Sequence, residues 1–321
     1  MSEPRRERVE LTGAAETIGG LIDNLGRVVH APEETLRLCV LCLVSEGHVI
    51  LEDFPGVGKT MLAKALARSL DVSFSRMQFT PDLLPSDVTG VSVFNQRSNE
   101  FEFRPGPVFT NLLLVDEINR ASPKTQAALL ECMQEQQVTI DGTSYELARP
   151  FMVMATHNPI EYEGTYPLPE AQLDRFTMRV TIGYPPLSQE AKMLTEQTGD
   201  PPLDALEPVA TASDALALAD EAKGIYVEES LNRYVVALLR ATRGDSRLYL
   251  GASPRAGIAL LRVAKARALG AARTFLEPDD VKAVAVPVLA HRLILAPEAR
   301  SSGLTGEQIV QETLEKTPVP V

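Results

Sequence analysis

Residues 49–60 read VILEDFPGVGKT, and how this stretch is understood decides the fold. The apolar run Val49-Ile50-Leu51 gives way to a loop containing Gly56 and Gly58. Lys59-Thr60 follows, and then Met61-Leu62-Ala63-Lys64-Ala65-Leu66-Ala67, good helix formers with apolar spacing. Strand, glycine loop and helix is the order in which a chain builds a phosphate cradle, with successive backbone N–H groups facing one concavity at a helix N-terminus. The usual pattern, G-x-x-x-x-G-K-[ST], begins with glycine, whereas this chain has Asp53 there. Glycine is required where φ is positive or where a Cβ would strike a phosphate, and Gly56 and Gly58 cover the tip of the loop. At the mouth of the strand a side chain is tolerated if the chain leaves extended, and Pro55 pushes Phe54 that way. The plainer alternative is a strand-to-helix turn with no ligand.

A second stretch argues against that alternative. Residues 111–117 read NLLLVDE, an apolar strand ending in two carboxylates. A phosphate loop works with Mg²⁺, which prefers carboxylate, hydroxyl, water and phosphate oxygens. Asp116 stands at the C-terminal end of a buried strand, where open α/β sheets bind ligands, and can hold the metal while Thr60 supplies a hydroxyl. Glu117 can orient and deprotonate an attacking water. Asn158, after a third apolar strand in FMVMATHNP, can position water and γ-phosphate without adding charge; alternatively it is a turn asparagine before Pro159. Arg175 in PEAQLDRF and Arg255 in GASPRA can each stabilise charge developing on the γ-phosphate, or form surface ion pairs.

Around these motifs strands and helices alternate. Residues 33–46 read as a helix, with Pro32 near its start and Gly47 after its end. Residues 72–79 read as a strand, 91–95 and 100–103 as a hairpin, and 122–136 as a helix with Pro123 in its first turn. Residues 137–147 read as a second hairpin turning at Asp141-Gly142, and FMVMAT and TMRVTI as further strands. Strands that are apolar throughout indicate a parallel sheet covered on both faces, hence an α/β class. After GYPPLS (183–188) the strand pattern stops, and 189–197, 228–243, 254–269 and 278–293 look helical. The expected organisation is a nucleotide-binding αβα domain over 1–185 and a small helical domain over 186–321. The last residues, EKTPVPV, read as a frayed tail.

A net charge of −12 argues against general affinity for nucleic acid, a local basic patch aside, so no nucleic-acid partner is expected. The start lacks the apolar core of a secretory signal and no run reaches membrane-spanning length, so the expected location is the cytosol. Cys39 and Cys42 formally match C-x-x-C but lie inside a helical pattern; with Cys132 they read as buried apolar cysteines.

Taken in order, these motifs resemble the MoxR family of AAA+ ATPases. EDFPGVGKT, FTPDLLPSDVTG, DEINRASPKTQAALLECMQE, ATHNPIEYEGTYPLPEAQLDRF and GASPRA match family blocks, and the resemblance runs over residues 20–295. It implies an AAA+ P-loop core, a parallel sheet flanked by helices, followed by a small all-helical lid. It further implies a phosphate-binding segment Pro55, Gly56, Val57, Gly58, Lys59, Thr60 and Met61, with Thr60 and Asp116 serving Mg²⁺ and Glu117 activating water. Asn158 resembles the sensor-1 residue. Arg175 resembles the arginine finger that reaches the ATP of a neighbouring subunit, and Arg255 the sensor-2 arginine acting within its own chain. Arg120 resembles a further interface or sensor arginine. The hairpins at 91–103 and 137–147 resemble the helix-2 insert and the pre-sensor-1 hairpin. The chain departs from the family at His30-Ala31, where Gly-Gln is usual near the adenine.

What the resemblance implies is Mg²⁺-dependent ATP hydrolysis in a homo-hexameric ring. The chemistry would drive chaperone-like remodelling or activation of client proteins, often with a von Willebrand factor A-type partner and sometimes for metal-cofactor insertion. Two other readings compete: an AAA+ motor or loader on nucleic acid, and a nucleotide-gated scaffold with little turnover. The acidic balance counts against the first and the intact Asp116-Glu117 pair against the second.

Overall fold

The computed structural model describes residues 3–54, 56–157, 166–184, 190 and 203–319. The first part of the chain contains strands β1 (Val49–Glu52), β2 (Phe74–Gln78), β3 (Gly90–Asn95), β4 (Glu100–Pro105), β5 (Leu112–Asp116), β6 (Gln137–Ile140), β7 (Thr143–Glu146), β8 (Met152–His157) and β9 (Met178–Val180). Its helices are α1 (Glu3–Gly26), α2 (Glu33–Val44), α3 (Lys59–Ser69), α4 (Pro85–Thr89), α5 (Pro123–Glu135) and α6 (Glu170–Leu173). There follow α7 (Ala212–Gly224), α8 (Glu229–Gly244), β10 (Leu248–Leu250), α9 (Pro254–Gly270), α10 (Pro278–Leu289), β11 (Ile294–Leu295), α11 (Pro297–Ser301) and α12 (Gly306–Lys316).

A parallel sheet in the order β2-β5-β8-β1-β9 forms the centre. Its inner strands are apolar because both faces are covered. In β5 and β8 alternate residues feed two separate clusters: Leu112, Leu114, Met152 and Met154 join one, while Leu113, Val115, Val153 and Ala155 join the other. The first cluster continues into α1, α2, α3 and the C-terminal helices, so one face of the sheet and the helical lid share a core. The second is closed by α5, whose N-cap Ser122 accepts from the Thr125 N–H. Edge strand β2 is exposed at Arg76 and Gln78 and buries Met77 between them, the alternation of a half-buried strand.

The register aligns the C-terminal strand ends. Gln78 pairs with Asp116, Val115 with Ala155, Leu51 with Thr156 and Glu52 with His157. Both hairpins form, β3–β4 and β6–β7, the latter turning at Asp141 (φ 51°) and Gly142 (φ 81°). They touch each other: Phe103 of β4 stacks on Tyr145 of β7 with centroids 4.2 Å apart.

Some elements escape the sequence reading. Helix α1 buries Ala14, Ile18, Leu21, Ile22 and Leu25, a spacing that repeats every three to four residues. The helical part contains a short antiparallel ribbon, with Leu248 opposite Leu295. Capping boxes at Thr211/Asp214 and Thr305/Gln308 start α7 and α12. The expected frayed tail is instead helical to Lys316, and Val319 packs against the core. Of the expected helix at 189–197 only residue 190 is described, and the expected domain boundary near 185 also lies outside the described residues.

Candidate nucleotide site

The loop before α3 takes the conformation that its glycines permit. Gly56 and Gly58 have φ of 88° and 93°, and a Cβ on either would meet nothing within 4 Å, so the side above the loop is open. Gly58 is the N-cap of α3, whose first turn carries no acidic residue to compete for its free N–H groups.

Asp53 holds the base of the loop. It is buried, with one carboxylate oxygen accepting from the Phe54 N–H (2.9 Å). The other accepts from the N–H groups of Ile182 (2.8 Å) and Gly183 (2.6 Å). A glycine could not make these bonds. Asp53 therefore clips the start of the loop to the chain leaving β9, and its backbone φ is not positive.

Lys59, Thr60, Asp116 and Glu117 line one cavity of about 720 Å³ at the C-terminal strand ends. Gly56, Gly58 and Met61 line it too, while Val57 packs against the hydrophobic core. Burial lowers the Lys59 pKa, opposed by the charges of Asp53, Asp116, Glu52 and Glu117; its ammonium donates to the Asp53 carbonyl. Asp116 is fixed by Arg76 (Nε to Oδ2, 2.6 Å) and by the Thr156 hydroxyl (3.4 Å). Glu117 adopts a left-handed conformation (φ 54°, ψ 55°), with its N–H donating to Thr156 Oγ1 (2.9 Å). Its Oε2 accepts from Gln78 Nε2 (2.9 Å) and Arg120 (2.7 Å).

Arg76, Gln78 and Thr156 were not read from the sequence. The signal was there: strand alternation sends Arg76 and Gln78 to the same side, and parallel pairing of β2 with β5 puts that side beside the carboxylates. Arg120, expected as an interface or sensor arginine, reaches Glu117 of its own chain.

A hydroxyl, two carboxylates, a lysine and an open glycine loop on a helix N-terminus suit a nucleoside triphosphate with Mg²⁺. The cation takes oxygen ligands and the phosphates take N–H donors. Among the described residues no group of three or more His, Cys, Asp or Glu side chains is gathered as a metal site.

Arg175 and Arg255 stand elsewhere. Neither lines the cavity. Arg175 follows α6 in the turn before β9, and Arg255 is exposed in the first turn of α9. Pro55 and Asn158 lie outside the described residues. The three cysteines are buried and free, with burial raising the Cys39 and Cys132 thiols to about 12. Among the described residues no helix is long and apolar enough to cross a membrane.

Similarity to known proteins agrees with the geometry. The profile of the ATPase family associated with various cellular activities (AAA) matches residues 48–178, and that of the AAA lid domain matches 240–313. The chain is 48% identical to the uncharacterized protein YeaC of Bacillus subtilis, covering 95% of each. It is 38% identical to the chaperone MoxR1 of Mycobacterium tuberculosis, covering 97% of this chain and 84% of the relative. Protein MoxR of Methylorubrum extorquens is 30% identical over 92% of this chain and 93% of its own. A solved structure from Cytophaga hutchinsonii, assigned as an ATPase, superposes over all of both chains with a TM-score of 0.93 at 39% identity. With the parallel sheet, the helical lid and these relatives in hand, the chain belongs to the MoxR family of AAA+ ATPases.

Proposed function

We propose that this chain hydrolyses ATP with Mg²⁺ in a homo-hexameric ring and uses the cycle to remodel or activate partner proteins in the cytosol. The observation that carries this reading is the meeting of Lys59, Asp116 and Glu117 in one cavity beside an open glycine loop.

Lys59 and the backbone N–H groups of residues 56–60 bind the β- and γ-phosphates. Thr60 and Asp116 are the residues that would hold Mg²⁺, which when bound neutralises charge building on the phosphate oxygens. Glu117 takes the proton of the attacking water, with Gln78 and Arg120 orienting its carboxylate. Asn158 positions that water. Arg255 reads the γ-phosphate from the lid of the same chain, and Arg175 reaches the ATP of the next protomer. The place of Arg175 in a turn away from the cavity of its own chain supports a target in a neighbouring protomer.

The sheet domain ends near residue 185 in this scheme, and the helical domain from 186 moves against it as the γ-phosphate leaves. The two hairpins face the client or a von Willebrand factor A-type partner. Phe94 and Phe101 support this: they are exposed at 46% and 73% and meet edge to face at 5.3 Å, apolar surface with no use inside the chain.

The test is phosphate release by the parent protein beside Glu117→Gln. Turnover in the parent and its loss in the variant, with ATP still bound, supports the enzyme. A parent no faster than the variant refutes it.

A further inference from the structure

The turn that carries Arg175 is held from the helical domain. Just after α10, His291 and Arg292 are both buried, the Arg292 side chain being 3% exposed. Arg292 Nε donates to Asp174 Oδ1 at 2.7 Å. One terminal nitrogen donates to the carbonyls of Phe176 (2.7 Å) and Asp174 (3.3 Å), and the other to those of Thr177 (3.0 Å) and Val288. His291 Nε2 donates to the Phe176 carbonyl as well, at 3.2 Å. All five guanidinium donors are thus engaged, and three of their backbone acceptors flank Arg175 in sequence. The second oxygen of Asp174 accepts from Ser253 Oγ at 3.3 Å. Ser253 is the N-cap of α9, two residues before Arg255.

We propose that Arg292, with Asp174 and Ser253, is a positioning device for the arginine finger, so that the lid of one protomer sets the placement of the Arg175 it offers to the next. The lid residue that reads the γ-phosphate, Arg255, begins the helix capped by Ser253. Asp174 joins that cap to the turn bearing Arg175. Lid movement in one site therefore displaces the cation that completes a different site. A lysine cannot replace Arg292, because a single ammonium cannot span five acceptors set around a planar fork. The proposal rests on the reading of Arg175 as a finger given in trans.

Mixed rings separate this role from a merely structural one. Subunits carrying Lys59→Ala cannot use ATP but can donate a finger; subunits carrying Arg175→Ala can use ATP but lack one. Arg292→Lys is placed first in the donor and then in the acceptor, with melting temperature and ring size checked for each. We expect the change in the donor to lower turnover on the order of 10- to 100-fold, as for misplacement of a reacting group by about an ångström. In the acceptor the loss is smaller. Equal losses in both arms, or none in either, overturn the proposal. If Arg292→Lys does not fold, Asp174→Asn serves in the same two arms, judged by the same outcomes. Failure of the unmodified mixture to turn over ATP refutes the finger in trans itself, and the proposal with it, a result distinct from the donor–acceptor comparison.

Discussion

The phosphate cavity and the turn at 174–177 are built on opposite plans. In the cavity, reactive groups lie together at the ends of adjacent strands, and each has partners in its own chain: Asp116 with Arg76, Glu117 with Gln78 and Arg120. In the turn, the backbone is tied down by Arg292, and Arg175 stands apart from the cavity. On the proposed function, one region is organised to hold a ligand and the other to present a charge. The difference teaches that, on the proposed reading of Arg175 as a finger, a single chain holds a binding site and a catalytic contribution that do not meet within it.

Breaking the presented charge should have the largest effect. Arg175→Ala should lower hydrolysis on the order of 10³-fold while leaving ATP binding nearly intact, as measured by phosphate release beside nucleotide titration. Breaking the cavity's base comes next: Glu117→Gln should lower turnover on the order of 10²-fold or more and retain bound ATP. If both variants lose binding and turnover together, the division between the two regions is wrong.

The scaffold beneath the cavity gives a pH test. His48 is buried, with Nδ1 accepting from the Val153 N–H (3.0 Å) and Nε2 donating to the Met133 carbonyl (3.1 Å). Burial pushes its pKa down to about 4, partly opposed by the bond to Met133. An unfolded chain would protonate this ring near pH 6.5. The folded state therefore keeps the full contribution above pH 6.5 and loses it as pH falls toward 4, on the order of 2–3 kcal/mol. Denaturant titrations at pH 7 and pH 5 should show the fall, and His48→Gln should flatten it.

The smallest effect concerns the balance inside the cavity. Arg76 neutralises the carboxylate that would face Mg²⁺, so Arg76→Ala should lower the Mg²⁺ concentration giving half-maximal turnover by about two- to fivefold, the scale of a partly exposed ion pair. A rise instead would place Arg76 on the phosphates.

Much of the sheet and the cavity was legible in the sequence because local signals suffice there. Apolar runs mark inner strands, glycines mark positive φ, and adjacent carboxylates mark a strand end. Asp53 shows the limit: its tolerance at the first loop position could be argued from the extended chain, but its bonds to Ile182 and Gly183 join residues far apart in sequence. Arg76 and Gln78 needed the strand order, which periodicity does not contain. Helix α1 was readable from the spacing of Ile18, Leu21 and Leu25, yet its partners include α9, far along the chain, as well as the nearer α2 and α3. Arg292 carried no signal, since an arginine after an apolar helix reads as a surface charge until the fold buries it.

The central claim is that one protomer completes the site of another. It is tested most directly by titrating Arg175→Ala subunits with Lys59→Ala subunits at constant total protein and following phosphate release. Each variant alone should be nearly inactive, and the account predicts turnover that rises to a maximum at intermediate ratios. A flat line at the sum of the two inactive proteins, in rings shown to contain both, would contradict it.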